Sequence, residues 1–328
     1  MKLHEMWQGY PQVADELAQT LRLMEKSIQL KNKQVEQAIM EMIHSGGKLL
    51  RPAYQLLFAQ FGPDRDSQKA VSMAASIEML HTATLIHDDI VDDADLRRGL
   101  PTIRSSFGND AAVYAGDYLF VCCFKLLADY ASSMRSLQLN SRSMEKILGG
   151  ELGQMDNRYK INGTIDDYLD NISGKTAELF SMSCSIGAYE SGCSELFSNN
   201  AGKIGRKIGL AFQIIDDILD YTQPADMIGK PVLEDVRQGV YSLPLLYALK
   251  TNRAAFIPYL EKRENMTDAD TQKVYELVHQ YDGVTQAQAL AAKYTNEAIR
   301  AIQKLPQNEA DTRGQLERLT RTILDRQN

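Results

Sequence analysis

Apolar residues recur at the three- and four-residue spacing of a helix along most of the chain, and nowhere alternate with polar ones for more than a few residues. That spacing predicts helix over 12–44, interrupted near Gln29 to Asn32 and stopped at Gly46-Gly47. Pro52 suits the first turn of a next helix, ending near Gly62. Helical spacing resumes from Ser67 to about Asp93, and Leu96-Arg97-Arg98-Gly99-Leu100-Pro101-Thr102 then reads as a loop. Further helices fall at 109–130, 143–160, 165–190 and 195–222, with Thr164 as N-cap before Asp166 and Asp167. The stretch 223–241 carries Pro224, Gly229, Pro231 and Gly239 and reads as a loop; shorter helices follow at 242–251, 268–281, 284–304 and 308–326. The expectation is an all-α fold of ten or more helices. No linker rich in Gly, Ser or Pro and no repeat of 20–50 residues divides it, so residues 1–328 are expected to form a single domain.

Composition agrees with long helices: 9 Pro and 21 Gly in 328 residues are fewer breakers than the usual share of about 12%. The length is ample for a large core. Acidic residues outnumber basic ones 43 to 36, for a net charge of −7, and no block of Lys or Arg occurs. A general nucleic-acid binder or a polybasic membrane-surface protein is thereby disfavoured. No apolar run reaches the roughly 18 residues of a membrane span, and the start Met1-Lys2-Leu3-His4-Glu5 has no apolar signal core. The expectation is a cytoplasmic protein with no transmembrane segment. Cysteines 122, 123, 184 and 193 form no Cys-x-x-Cys, which suits reduced, buried thiols.

The chemistry is concentrated in two acidic stretches. His87-Asp88-Asp89-Ile90-Val91-Asp92-Asp93-Ala94-Asp95 follows the apolar run 71–86, and Gln213-Ile214-Ile215-Asp216-Asp217-Ile218-Leu219-Asp220 closes another apolar helix. Their eight aspartates exceed the whole net charge. Like charges at i, i+4 cost about 0.2–0.5 kcal/mol each, and the helix C-terminus disfavours anions further. One such motif is ordinarily a solvated helix end. Two copies suggest facing carboxylate clusters that share divalent cations, and oxygen-only donors suit Mg²⁺ rather than zinc or iron. Cationic partners for phosphate are available in Lys48 and Arg51, Arg97 and Arg98, Lys175, and Lys230. Gly174-Lys175-Thr176 is not a P-loop, because the required earlier glycine is Leu169 and the context is helical.

These motifs together resemble a trans-isoprenyl diphosphate synthase of the polyprenyl synthetase family. The resemblance spans about 46–247 and runs in order through Gly46-Gly47-Lys48 with Arg51-Pro52, the first Asp-rich motif with Arg97-Arg98-Gly99 and Pro101-Thr102, Gly150-Glu151 with Gln154, Gly174-Lys175-Thr176, Phe212 to Asp220, and Gly229-Lys230-Pro231. It implies an isoprenoid-synthase-type helical bundle around a central cavity. It also implies that Asp88, Asp89, Asp92, Asp216, Asp217 and Asp220 bind Mg²⁺, three ions per site, bridging the diphosphate of an allylic substrate. By position, Lys48, Arg51, His81 and Arg98 would hold isopentenyl diphosphate, and Arg97, Lys175, Thr176, Gln213 and Lys230 the allylic end. Lys175 joins Asp88, Asp89, Asp92, Asp216 and Asp217 as an implied catalytic residue. His87 is expected to support the metal site. The family pattern has other residues at Leu233, Val240 and Ser242, so one polar diphosphate contact is expected to be missing.

In this family product length follows the depth beside the first Asp-rich helix. Ala83 and Thr84 are small, with Met79 and Leu80 one turn deeper and Ala75 and Ser76 below, a channel of about 18 Å at 1.5 Å per residue. Tyr118, Phe120 and Phe124 are candidates for its floor, and Gly205 and Gly209 either add room or allow close helix packing. The expected product is all-trans, in the C30–C40 class, heptaprenyl foremost, built from farnesyl diphosphate; a shorter farnesyl or geranylgeranyl product is the alternative. The chain is expected to work as a homodimer or with a small regulatory subunit, without which it could be inactive. A terpene cyclase or head-to-head condensing enzyme fits less well, because the second motif is all aspartate and Lys48 and Arg51 suit a second diphosphate.

Overall fold

The computed structural model describes residues 3–45, 47–222 and 233–325. The chain divides into two compact units, one of Met1–Ser141, Met182–Gly202 and Pro306–Gln315, the other of Arg142–Ser181, Lys203–Leu305 and Leu316–Asn328. The N-terminal apolar stretch forms a short 3₁₀ turn, Glu5–Gly9, then α1 (Pro11–Ser27) and α2 (Lys33–His44). The predicted interruption falls between the two helices, where the Asn32 side chain accepts from the Gln34 and Val35 N–H groups and starts α2. α3 (Leu50–Ala59) and α4 (Ser67–Val91) follow as expected. The eight consecutive residues 70–77 of α4 are buried, more than two full turns, so no face of this stretch meets water. α1 and α3 pack on α4, as does α6 (Asn109–Tyr130), which runs along it.

The predicted loop at 96–102 contains a minimal antiparallel hairpin, β1 (Leu96–Arg97) and β2 (Leu100–Pro101), followed by α5 (Ile103–Phe107). Arg98 and Gly99 both have positive φ, 52° and 78°, as a two-residue hairpin turn requires. α6 is long and apolar enough to pass for a membrane span by length and composition alone, a test that the core helix of a soluble protein passes equally. No apolar run accounts for this, since Asp110, Asp117, Lys125 and Asp129 interrupt every run in the helix. Leu119, Cys122 and Cys123 on this helix are buried in the unit, as the core helix of a globular unit also requires.

α7 spans Met134–Asp156, beginning nine residues before the expected start. Its early inward positions are Ser136, Asn140 and Ser143, all buried, so apolar spacing could not reveal them. The expected helix 165–190 is three pieces: α8 (Ile165–Ile172), a π-helical segment Ser173–Ala177, and α9 (Glu178–Glu190). Thr164 caps α8 as expected, in a reciprocal box with Asp167. α10 (Glu195–Leu219) ends in the second Asp motif. Of the predicted loop 223–241, residues 233–241 are described, and they include a single-turn helix, α11 (Glu234–Arg237). The second unit continues through α12 (Leu243–Asn252), α13 (Ile257–Leu260), α14 (Asp268–Gln280) and α15 (Gly283–Ile302), with α12 packed on α8, α14 and α15. α16 (Thr312–Leu324) is the last helix described.

Candidate active site

In the first unit the acidic motif closes α4. The Asp92 N–H donates to the Asp88 and Ile90 carbonyls, and Asp93 turns left-handed at φ 50°. The three aspartates are not equivalent. Asp89 is 3% exposed, and the Arg97 Nε and Nη2 groups both donate to its Oδ1 at 2.7 Å. Burial raises the Asp89 carboxyl above its usual range, against the opposing pull of Arg97. Asp89 therefore holds Arg97. Arg104 bridges Asp93 and Asp95, fixing the loop into the hairpin.

The hairpin turn separates the two arginines. Arg97 folds onto Asp89, while Arg98 lies against Gly47, where a Cβ would come 3.0 Å from its Nη1. Nearby, Arg51 Nη1 donates to His81 Nε2 at 3.1 Å, since a guanidinium has no acceptor. His81 therefore carries its proton on Nδ1, and burial, then Arg51, Arg98 and Arg97, keep it neutral, far below its ordinary pKa. Glu78 shares this cleft with Gly47, Arg97 and Arg98, and burial raises its carboxyl while Arg51 and Arg98 oppose the rise. Arg51 and Arg98 beside a neutral imidazole make this part of the first unit locally cationic.

The residues expected to line a channel, Ala75, Ser76, Met79, Leu80 and Ala83, are buried on α4, and the Thr84 hydroxyl donates to the His81 carbonyl at 2.8 Å. His87 faces α6, with Nε2 3.3 Å from Asp117 Oδ1 and its ring 5.4 Å from that of Phe120; a side chain at Gly116 would strike it. Of the proposed floor residues, the Tyr118 hydroxyl is bonded to the Gln29 backbone, Phe120 rests on His87, and Phe124 is exposed and closes nothing within this unit.

In the second unit the π-helical segment presents Lys175 and Thr176. Glycines make the approach possible: a Cβ on Gly150 would lie 2.8 Å from the Lys175 nitrogen, and one on Gly174 2.9 Å from the Lys146 carbonyl oxygen. Lys175 Nζ reaches Glu151 Oε2 at 2.9 Å and Gln154 Oε1 at 3.2 Å. Thr176 Oγ1 donates to Gln213 Oε1 at 2.7 Å, and Gln213 Nε2 donates to Asp217 Oδ1 at 2.8 Å. The other Asp217 oxygen accepts from the buried Tyr168 hydroxyl at 2.6 Å. Burial raises Asp217 to about 7, with Tyr168 and Gln213 opposing. Glu178, 3% exposed, accepts from Ser143 at 2.8 Å and pairs with Arg206, pinning the end of the π-helical segment.

The sequence reading did not single out Tyr168 or Glu178. The one trace of Tyr168 is its place two turns before Lys175 on a capped helix. Gly46 and the Gly229-Lys230-Pro231 motif lie outside the described residues. Gly209 belongs to close packing, since a Cβ there would lie 2.6 Å from the Ala177 Cα. Among the described residues no three acidic, His or Cys side chains form a ready metal-holding group.

A model of the polyprenyl synthetase family matches residues 32–278. The chain belongs to the polyprenyl synthetase family. The match extends beyond the resemblance legible in the motifs, from the start of α2 into α14. Among curated relatives, the family member named heptaprenyl diphosphate synthase component 2 from Geobacillus stearothermophilus is 35% identical over 94% of this chain and 95% of its own. A solved geranylgeranyl pyrophosphate synthase from Lactobacillus brevis is 42% identical, with a TM-score of 0.94, covering 98% of this chain and 99% of that one. A polyprenyl synthase from Caulobacter crescentus, solved with calcium and isoprenyl diphosphate, is 31% identical, with a TM-score of 0.89 and 97% of both chains covered. This polyprenyl synthetase is a prenyltransferase that condenses isopentenyl diphosphate with an allylic diphosphate, and its family uses divalent metal ions.

Proposed function

We propose that this chain makes an all-trans product of the C30–C40 class, heptaprenyl foremost, by repeated extension of farnesyl diphosphate with Mg²⁺. The observation that supports the reading is the small side chain at Ala83, five residues before Asp88 on α4, where a large one would stop a growing tail. The 42% identity to a geranylgeranyl pyrophosphate synthase favours a second reading, a shorter product.

Asp88 and Asp92 of the first motif and Asp216, Asp217 and Asp220 of the second would hold Mg²⁺, three ions in all, while Asp89 orients Arg97. Mg²⁺ held there would supply Lewis-acid neutralisation of diphosphate charge. Lys48, Arg51 and Arg98 hold isopentenyl diphosphate, and His81, kept neutral, braces Arg51. Arg97, Lys175, Thr176, Gln213 and Lys230 hold the allylic diphosphate. The carbon–carbon double bond of isopentenyl diphosphate attacks the allylic carbon, and loss of one proton gives the trans alkene.

We further propose that residues 1–328 fold as a single cytoplasmic domain, which would give one calorimetric transition. The chain acts as a homodimer or with a small partner subunit, the latter suggested by a relative named as a component. The test is the purified chain with Mg²⁺, farnesyl diphosphate and labelled isopentenyl diphosphate, with products resolved by chromatography. Extension stopping at C20 selects the second reading, no extension selects the obligate partner, and cyclised hydrocarbon overturns the synthase site.

A further inference from the structure

We propose that Trp7 is a positioning residue for the isopentenyl diphosphate subsite, acting through the backbone of Lys48; the inference rests on the role given to Lys48 above. The 3₁₀ turn Glu5–Gly9 starts where His4 Nδ1 accepts from the Met6 N–H at 3.2 Å. On that turn Trp7 is 1% exposed, and its indole Nε1–H donates to the Lys48 carbonyl at 3.0 Å, across 41 residues. The ring stands edge-on to Tyr10 at 5.7 Å. A buried indole N–H and a carbonyl in an irregular segment each require a partner, and here each satisfies the other.

The carbonyl lies at the place where the chain is hardest to fix. Leu49, buried, has the left-handed conformation, φ 51°, which a side chain disfavours and which persists only where its surroundings impose it. Gly47, on the other side, is approached by the Arg98 guanidinium, whose Nη1 would lie 3.0 Å from a Cβ there. Leu49 then leads directly into α3, so the same turn sets the position of Arg51 and its 3.1 Å contact with His81. The Trp7 hydrogen bond thus ties one peptide that governs Lys48 directly and Arg51 through the helix start. Trp7 itself precedes the residues 32–278 matched by the family model, while Lys48 and Arg51 lie within them.

The test is Trp7→Phe, which keeps an aromatic ring and removes the N–H. With both substrates varied, the KM for isopentenyl diphosphate rises roughly three- to tenfold, the worth of one neutral hydrogen bond. The allylic KM and kcat stay within twofold. An unchanged isopentenyl diphosphate KM, or an equal rise in the KM for both substrates, overturns the proposal. Trp7 is the sole tryptophan, so the unaltered enzyme supplies a readout that does not depend on the variant folding. Isopentenyl diphosphate added without allylic substrate changes the indole emission saturably, and Lys48→Ala abolishes the change; constant emission in the unaltered enzyme overturns the brace. If Lys48→Ala leaves the isopentenyl diphosphate KM unmoved, it is the role of Lys48 that fails.

Discussion

Replacing Tyr168 with Phe removes one hydroxyl and leaves the buried ring in place, so it isolates the 2.6 Å hydrogen bond to Asp217. A hydrogen bond to a charged group is worth about 1.5–3 kcal/mol. Gln213 still donates to the other Asp217 oxygen in the variant, which favours the lower figure, about tenfold in an equilibrium constant. If Asp217 is a Mg²⁺ ligand, that tenfold appears in the Mg²⁺ requirement, within the about 10- to 100-fold typical when the partner of a metal ligand is lost. Two assays read it: the Mg²⁺ concentration at half-maximal rate, and calorimetric binding of pyrophosphate as Mg²⁺ is raised. In the Asp217→Asn background the Tyr168→Phe effect should nearly vanish, because the two residues share one interaction. A Mg²⁺ requirement within twofold of the unaltered enzyme, at unchanged thermal stability, refutes the assignment.

Ala83→Tyr should shorten the product by at least one isoprene unit on chromatography, and an unaltered product distribution would remove position 83 from the channel. Gly209→Ala gains about 1 kcal/mol of helix propensity but drives a Cβ to 2.6 Å from the Ala177 backbone, an overpacking cost of about 1–3 kcal/mol. The net should be a lower melting temperature with weaker activity, since Ala177 adjoins Thr176; a stabilised variant contradicts the packing argument. Asp270 is held near 2 by Lys262 and the Thr267 cap, below its ordinary 3.8. Its contribution is complete above that ordinary value and is lost as pH falls toward 2. Asp270→Asn should therefore melt below the unaltered protein at neutral pH, with the gap closing between about pH 4 and pH 2.

Local chemistry carried a large part of the fold. α6 falls at the predicted 109–130 because Gly108 sets its start and apolar spacing persists to Tyr130. Thr164 marks the start of α8 because an N-cap needs one side chain and the next turn. Where buried positions are polar, as at Ser136 and Asn140, spacing misplaces the helix start. Where the helix takes on an extra residue per turn, as at Ser173–Ala177, spacing passes over the change.

The sequence by itself determined the helical class, the ordered motifs and the family, because each depends on residues close together in the chain. It could not rank Asp88, Asp89 and Asp92, which look alike at helical spacing. Tertiary structure distinguished Asp89 by bringing Arg97 within 2.7 Å of a carboxylate that is 3% exposed. Tertiary structure likewise brought Tyr168 to Asp217 across 49 residues, and Trp7 to Lys48 across 41. The physical reason is common to all three. A hydrogen bond forms or fails within a few tenths of an ångström, and only the packed backbone fixes separations between residues on different elements that finely.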